Sequence, residues 1–287
     1  MRPADPVAWP GEATSAASFS FDVDAESVVL AELPAAASRM SVMSHQAYGP
    51  LTGLPRLLRI LERHRVRSTF FVPGYTAHRH PDAIRSIVDA GHEIAHHGYL
   101  HEPLIDVDPR TEAEILDRGL EALETVAGVR PTGYRAPMWE LTYASPRLLA
   151  DRGFLYDSSL MDADVPYELA VGDTEDAASI VEIPVHWGLD DWEQYCFLPG
   201  ITGSGLIESP AKAVELWRAE FEALREDGGC FVLTSHPFLS GRPGRAAALE
   251  EFVEYVASLA DVWLAPLGDI ARHVRGLRLR PRHLPRP

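Results

Sequence analysis

Asp22 and Asp24, two carboxylates separated by one residue, and His97 and His101, two imidazoles four apart, are the side chains here best suited to gripping a cation. In Phe19-Ser20-Phe21-Asp22-Val23-Asp24 the apolar Phe19, Phe21 and Val23 alternate with Ser20, Asp22 and Asp24. A period of two is that of a strand, and it puts both carboxylates on one side of the strand's end. Like charges so close resist joint ionisation unless a cation sits beside them. In His97-Gly98-Tyr99-Leu100-His101 one helical turn would bring the two imidazoles to a common side, with Gly98 letting the chain turn. Two histidines and one carboxylate form a three-ligand set that leaves positions open for water and substrate, as in catalytic zinc sites or facial-triad metals. The second carboxylate is then available as a base. His236 follows the apolar run Cys230-Phe231-Val232-Leu233-Thr234 and is read as a general acid, with Asp190 or Asp191 to orient it. His92 and His96 are read as polar supports rather than ligands.

Each of these groups sits at or just after the end of an expected strand, where α/β folds place their sites. Residues 56–62 read as a helix, and Ser68-Thr69-Phe70-Phe71-Val72 as a strand closed by Pro73-Gly74. Helix 81–90 and strand 93–97 repeat the unit. Helices over 111–127 and 145–151 follow, with short extended stretches at 133–136, 154–157 and 180–184. A long helix after Ser209-Pro210 leads to the strand delivering His236, and a helix-strand-helix covers 246–274. This alternation implies an α/β fold with a parallel sheet, doubly wound or closed into a barrel. One catalytic domain is expected over 17–274, after an irregular lead-in at 1–16 and before a basic tail at 275–287. Residues 31–55 read as a long loop, and Tyr48-Gly49-Pro50 would bend it over the strand ends, bringing Tyr48 to the substrate. It would serve as a lid or a subunit contact, so a homo-oligomer is expected.

With 287 residues, 46% of them hydrophobic, the chain has material for a large core. Its formal charge of -16 would repel phosphate backbones and anionic headgroups, which argues against nucleic acid and membrane partners. Arg275, Arg278, Arg280, Arg282 and Arg286 are a local exception, interrupted by Gly276, Pro281 and Pro285 like a solvated tail. Cys196 and Cys230 have neither a metal-type nor a redox-type spacing. No apolar run approaches the ~20 residues of a bilayer span, and the first sixteen residues lack an apolar export core, so a cytoplasmic location is expected.

Phe21-Asp22-Val23-Asp24, His97-Gly98-Tyr99-Leu100-His101, Gly133-Tyr134-Arg135-Ala136-Pro137, the Asp190-Asp191 segment and Leu233-Thr234-Ser235-His236 occur in the order of five motifs. In this the chain resembles the NodB-type polysaccharide deacetylases, carbohydrate esterase family four, over about residues 17–272. The resemblance implies a distorted seven-stranded (β/α) barrel with Asp22 as base, Asp24, His97 and His101 as ligands of a divalent metal, zinc by preference, and His236 as acid. It further implies that Arg135 steadies the base and Asp191 supports His236. The spaced Asp22-Val23-Asp24, with His101-Glu102 closing the second motif, is similar to the branch holding the Helicobacter-type peptidoglycan deacetylase, cyclic imide hydrolases and allantoinase-like proteins. Trp139, Trp187 and Trp192 fall inside motif segments and are placed to wall a pocket for a sugar ring or flat heterocycle. The expected activity is hydrolysis of a non-peptide C–N bond in a small soluble amide or cyclic imide. The alternatives are N-deacetylation of acetylated amino sugars or peptidoglycan, and a binding protein that kept the fold without the chemistry.

Overall fold

The computed structural model describes residues 4–172, 178–203 and 206–284, with the backbone alone at 202–203. Residues 1–3 of the expected lead-in and 285–287 of the expected tail lie outside the described residues. The strands are β1 (Ser15–Asp22), β2 (Thr69–Val72), β3 (Glu93–His96), β4 (Gly133–Tyr134), β5 (Tyr156–Asp157), β6 (Tyr167–Ala170), β7 (Ser179–Glu182), β8 (Phe197–Leu198), β9 (Thr202–Gly203), β10 (Cys230–Ser235) and β11 (Val262–Leu264). Strands β10, β1, β2, β3, β4, β5 and β7 lie side by side in that order, all parallel. Antiparallel β6 ends the row, and β11 pairs with the start of β1. The row curls into a distorted seven-stranded barrel without a complete ladder at its seam. There, Cys230 N donates to Asp164 O at 2.9 Å and a single bridge joins Asp190 to Thr234.

Helices connect the strands: α1 (Glu26–Glu32), α2 (Met40–Tyr48), α3 (Leu54–His64), α4 (Gly74–Arg79), α5 (Pro81–Asp89), α6 (Pro109–Ala127), α7 (Ser145–Asp151), α8 (Asp191–Tyr195), α9 (Pro210–Glu226), α10 (Pro243–Ala257) and α11 (Leu267–Leu277). Their boundaries have local causes. Asp108 caps α6 by accepting from Arg110 N and Thr111 N, and Gly128 ends it at φ 68°. Ser209 caps α9 and Pro210 occupies its first position. In α3, Leu57, Ile60 and Leu61 bury one stripe, each contributing about 1.5–3 kcal/mol by area. No helix among the described residues is long and apolar enough to cross a membrane.

Alternation along the strands separates two of the three hydrophobic clusters, the third lying around Tyr134, Leu149 and Ile180. Phe19, Phe21 and Phe70 pack outward against α3, α5, α9 and α10, and Phe21 stacks on Phe70 at 4.9 Å. Ala16, Phe71, Ala95, Val181 and Val232 form the other cluster, on the opposite face of the same strands. The polar side of β1 is therefore not a solvated face: Ser18, Ser20 and Asp22 are all buried within the barrel. There Ser20 Oγ donates to Leu233 O at 3.0 Å.

Three expectations are corrected. Residues 31–55 are mostly helical: the 3₁₀ turn Pro34–Ser38, α2 and a π turn Gly49–Gly53 run directly into α3. Local propensity in Pro34-Ala35-Ala36-Ala37 and the burial of Ala36, Val42 and Gln46 explain this. Strand β3 stops at His96, one residue early, and 97–101 is not helical, since Gly98 and His101 take left-handed φ of 71° and 61°. Strand β6 and the β8–β9 hairpin lie where no strand was expected.

His92 carries one prediction. It is half-buried, and its Nδ1 accepts from Ser68 N at 3.2 Å. Burial first, and Arg67 second, push it down to about 4. Unfolded, it titrates near 6.5, so from pH 6.5 down to about 4 the unfolded chain takes up a proton that the folded chain refuses. This contribution to stability is present above pH 6.5 and is lost as the pH falls. Urea midpoints at pH 7.5 and 5.0 should fall less on acidification in His92→Asn, which keeps an acceptor for Ser68 N, than in the parent. An identical loss in both proteins would refute the assignment.

Candidate active site

Asp22 ends β1, and Asp24 stands two residues beyond; both are buried. His97 follows β3, and the loop that carries it is fastened by Glu102, whose Oε2 accepts from Tyr99 N at 3.0 Å and Leu100 N at 2.8 Å. Buried His96 braces the same loop by accepting from Gly98 N at 3.1 Å and donating to Leu116 O at 3.0 Å. Burial pushes His96 down to about 3, which keeps it neutral in that role. Both of its ring nitrogens are thus engaged by backbone groups.

Three imidazoles converge on Asp24. His97 Nε2 is 3.5 Å from Oδ1, and the Nε2 atoms of His101 and His236 are 3.6 and 3.4 Å from Oδ2. Neither Asp24 oxygen has a hydrogen-bond partner, although both are buried. His97 Nδ1 donates to Arg135 O at 2.7 Å, which leaves Nε2 as the nitrogen directed at the Asp24 side. Burial alone would raise the Asp24 carboxyl, but His101, His236 and His97 outweigh it and hold it well below the usual range. Burial pushes His101 down to about 4, a neutral imidazole at physiological pH. Ligand atoms of Asp24, His97 and His101 all lie within 4.8 Å of one another. An orphaned carboxylate facing two imidazoles is a donor set that suits a divalent cation.

Asp190, Asp191 and His236 are equally close together. Their hydrogen bonds, however, are spent on each other and on the backbone. His236 Nδ1 donates to Asp191 Oδ1 at 2.7 Å, His236 N donates to both Asp191 oxygens at 3.0 Å, and Ser240 Oγ also donates to Asp191. Asp190 lies farther from Nδ1, at 3.6 Å, and caps α8 by accepting from Trp192 N at 2.7 Å. Asp191 is thus the residue that orients His236. Burial opposes a charge on His236, but Asp190, Asp191 and Asp24 together hold its proton well above the ordinary value. Burial pushes Asp190 up to about 8.

Arg135 lies behind Asp22, fully buried. Its Nη1 donates to Asp22 Oδ1 at 2.8 Å and to Ser20 Oγ at 3.0 Å, and its guanidinium sits 4.0 Å over the Phe71 ring. Beyond it the chain makes the turn Pro137–Trp139, where Met138 and Trp139 take left-handed φ of 56° and 55°. That turn lays Trp139 flat on Trp187, at 4.5 Å and 20°. These two indoles, with Trp192, Met138, Val28 and Glu193, wall a cavity of about 470 Å³ over Asp22, Asp24, Asp190 and the three histidines. Among the described residues no lysine or arginine lines it.

Tyr48 is not part of this cavity. Its hydroxyl donates to Gly241 O at 3.2 Å and accepts from Arg56 at 2.8 Å, because the π turn directs it along the outside of the segment 237–241. Glu193 and Ser240 were missed by sequence reasoning, and Glu102 was read only as the close of the second motif, not as the residue that fastens its loop. Cys196 and Cys230 are buried, and burial pushes both thiols up to about 12, far from nucleophiles.

A family model described as polysaccharide deacetylase matches residues 42–155. The peptidoglycan deacetylase of Helicobacter pylori is 32% identical over 241 residues, covering 76% of this chain and 82% of that protein. A solved Mycobacterium smegmatis structure, described by family as a polysaccharide deacetylase, is 64% identical with a TM-score of 0.97, covering 100% of this chain and 99% of its own. The crystal structure of Puue allantoinase is 28% identical with a TM-score of 0.80, covering 94% and 93%.

Proposed function

The chain belongs to the polysaccharide deacetylase family, carbohydrate esterase family four, hydrolases of non-peptide C–N bonds, and from that premise we propose a metal-dependent amidohydrolase acting on a small, uncharged, ring-sized amide or cyclic imide. The observation that carries the reading is the Asp24 carboxylate, buried and unpartnered among imidazoles. Such a group costs several kcal/mol unless a cation completes it.

In this reading Asp24, His97 and His101 hold the ion, zinc by preference. Bound there, it supplies Lewis acidity, polarising the substrate carbonyl and easing deprotonation of water. Asp22, held by Arg135, takes the proton from the attacking water as its oxygen adds to the carbonyl carbon. His236, protonated and fixed by Asp191, gives its proton to the nitrogen as the C–N bond breaks. Trp139 and Trp187 bind a flat ring face.

The partly exposed Trp187 and Met138 at the rim favour one second reading, deacetylation of an amino sugar stacked on that face. A substrate panel on metal-loaded protein separates the two. Succinimide, hydantoin and related imides and ureides should be turned over, and N-acetylglucosamine oligomers should not. Efficient deacetylation of long oligomers or intact glycan, with every imide and ureide inert, would sink the first reading and establish the second.

A further inference from the structure

We propose that Asp157 and Glu182 share a single proton and act as positioning residues, setting Arg135, and through it Asp22, by way of the Ser158-Ser159 turn. The proposal rests on the reading of Asp22 as the base.

The two carboxyls face one another by register. Parallel strands β5 and β7 pair Asp157 directly with Glu182, and both side chains are completely buried. Their outward connections run to the active site. Ser159 Oγ donates to Asp157 Oδ1 at 2.8 Å and accepts from Ala136 N at 2.8 Å. Ser159 N and Leu160 N donate to Glu182 Oε1 at 3.2 and 2.9 Å. Between these anchors, Ser158 O accepts from Arg135 Nε at 3.0 Å, and Ser158 Oγ accepts from Nη2 at 3.1 Å. Half of the guanidinium fork is thus held by Ser158, while Nη1 is on Asp22 and Ser20.

One oxygen of each carboxyl, Asp157 Oδ2 and Glu182 Oε2, is buried without a hydrogen-bond partner. Two ionised carboxylates set side by side by register and shut off from water would repel, so the arrangement requires one proton between them, as in other carboxyl dyads. Burial pushes Asp157 up to about 6 and, together with Asp157, drives Glu182 well above its ordinary value. The charged or titratable groups facing the pair are Arg135, Tyr134 on β4 opposite Asp157, and Tyr167 on β6 opposite Glu182. Both tyrosines are pushed further up by burial and stay neutral, so Arg135 is the only ionised neighbour in this set. The dyad then carries one negative charge. It reaches the guanidinium through the Ser158-Ser159 turn, whose acceptors fix the direction of the fork.

The shared proton can be read without any substrate. Folding at neutral pH should take up a proton that the unfolded carboxylates do not hold. The folding constant should therefore fall about tenfold per pH unit from this source as pH rises from 6 to 8. Glu182→Gln supplies an amide hydrogen in place of the proton, so the parent-minus-variant slope should correspond to about one proton. Crystal structures give the positional readout: Arg135 should stay on Asp22 in Glu182→Gln and leave it in Glu182→Ala. On a substrate from the panel, Glu182→Ala should lose about 10- to 100-fold in kcat with KM and metal content unchanged, and Glu182→Gln should recover it. Should Glu182→Ala fail to fold, Ser158→Ala removes one acceptor of Nη2 and should show the same split. An equal proton slope in parent and Glu182→Gln overturns the shared proton; an unmoved Arg135 in Glu182→Ala or Ser158→Ala overturns the positioning role. Neither readout depends on turnover, so both stand apart from the substrate assignment.

Discussion

His97→Ala should deprive the protein of its divalent metal, and with it about three orders of magnitude of turnover, while leaving the fold in place. The ion is asked to supply several kcal/mol of charge stabilisation, which is the origin of that factor. His97 belongs to a loop beyond β3, and its ring packs near Phe71 at 6.3 Å and His101 at 4.9 Å rather than filling either hydrophobic cluster. Its removal therefore costs ligation before it costs the core. Asp24→Asn should behave the same way, since it removes the charge on which the imidazoles converge. Elemental analysis of the parent and both variants measures the first effect. Thermal unfolding with and without chelator measures the second, because a bound ion stabilises by mass action and a protein that binds none does not respond. Equal metal in the parent and His97→Ala would remove the assignment.

The carboxylates were legible because a strand's period of two needs only its own residues. Phe19, Phe21 and Val23 against Ser20, Asp22 and Asp24 marked a strand with both aspartates at its end, although β1 begins earlier, at Ser15. The imidazoles were legible as a pair but not as a shape. Spacing of four suggests a helical turn, whereas the segment is held open by left-handed Gly98 and His101 and by Glu102 accepting two backbone amides. Those are tertiary and turn effects, invisible to periodicity. Residues 31–55 failed differently: without an apolar stripe, α2 gave no periodic signal, and the helix is fixed by contacts with the turn after His236, where Gly53 passes too close to Pro237 for any Cβ. The two-residue strands β4 and β5 exist only through their neighbours. Glu182 was seen merely as part of an extended stretch; a carboxylate in the apolar run Ile180-Val181-Glu182-Ile183 was the signal that it is buried and engaged.

Asp22→Asn should separate the base from the ligand two residues away. The variant keeps a carbonyl oxygen for Arg135 Nη1, now at 2.8 Å from Asp22 Oδ1, and leaves Asp24, His97 and His101 untouched. Metal content should therefore match the parent's. What it loses is the capacity to accept a proton from water, a contribution of about 10²- to 10⁴-fold. The fall should appear in kcat, with KM little changed, because the interaction matters only as the bond to water forms. The accompanying loss of stability should be modest. Breaking a buried ion pair costs about 3–5 kcal/mol when the remaining charge is abandoned, but Arg135 retains Ser20 Oγ, Ser158 O and Ser158 Oγ as acceptors and the Phe71 ring beneath it. Asp24→Asn, by contrast, should lose metal and turnover together. If Asp22→Asn holds its metal and still turns substrate over at the parental rate, the proton goes elsewhere, and Asp22 is only the counter-charge of Arg135.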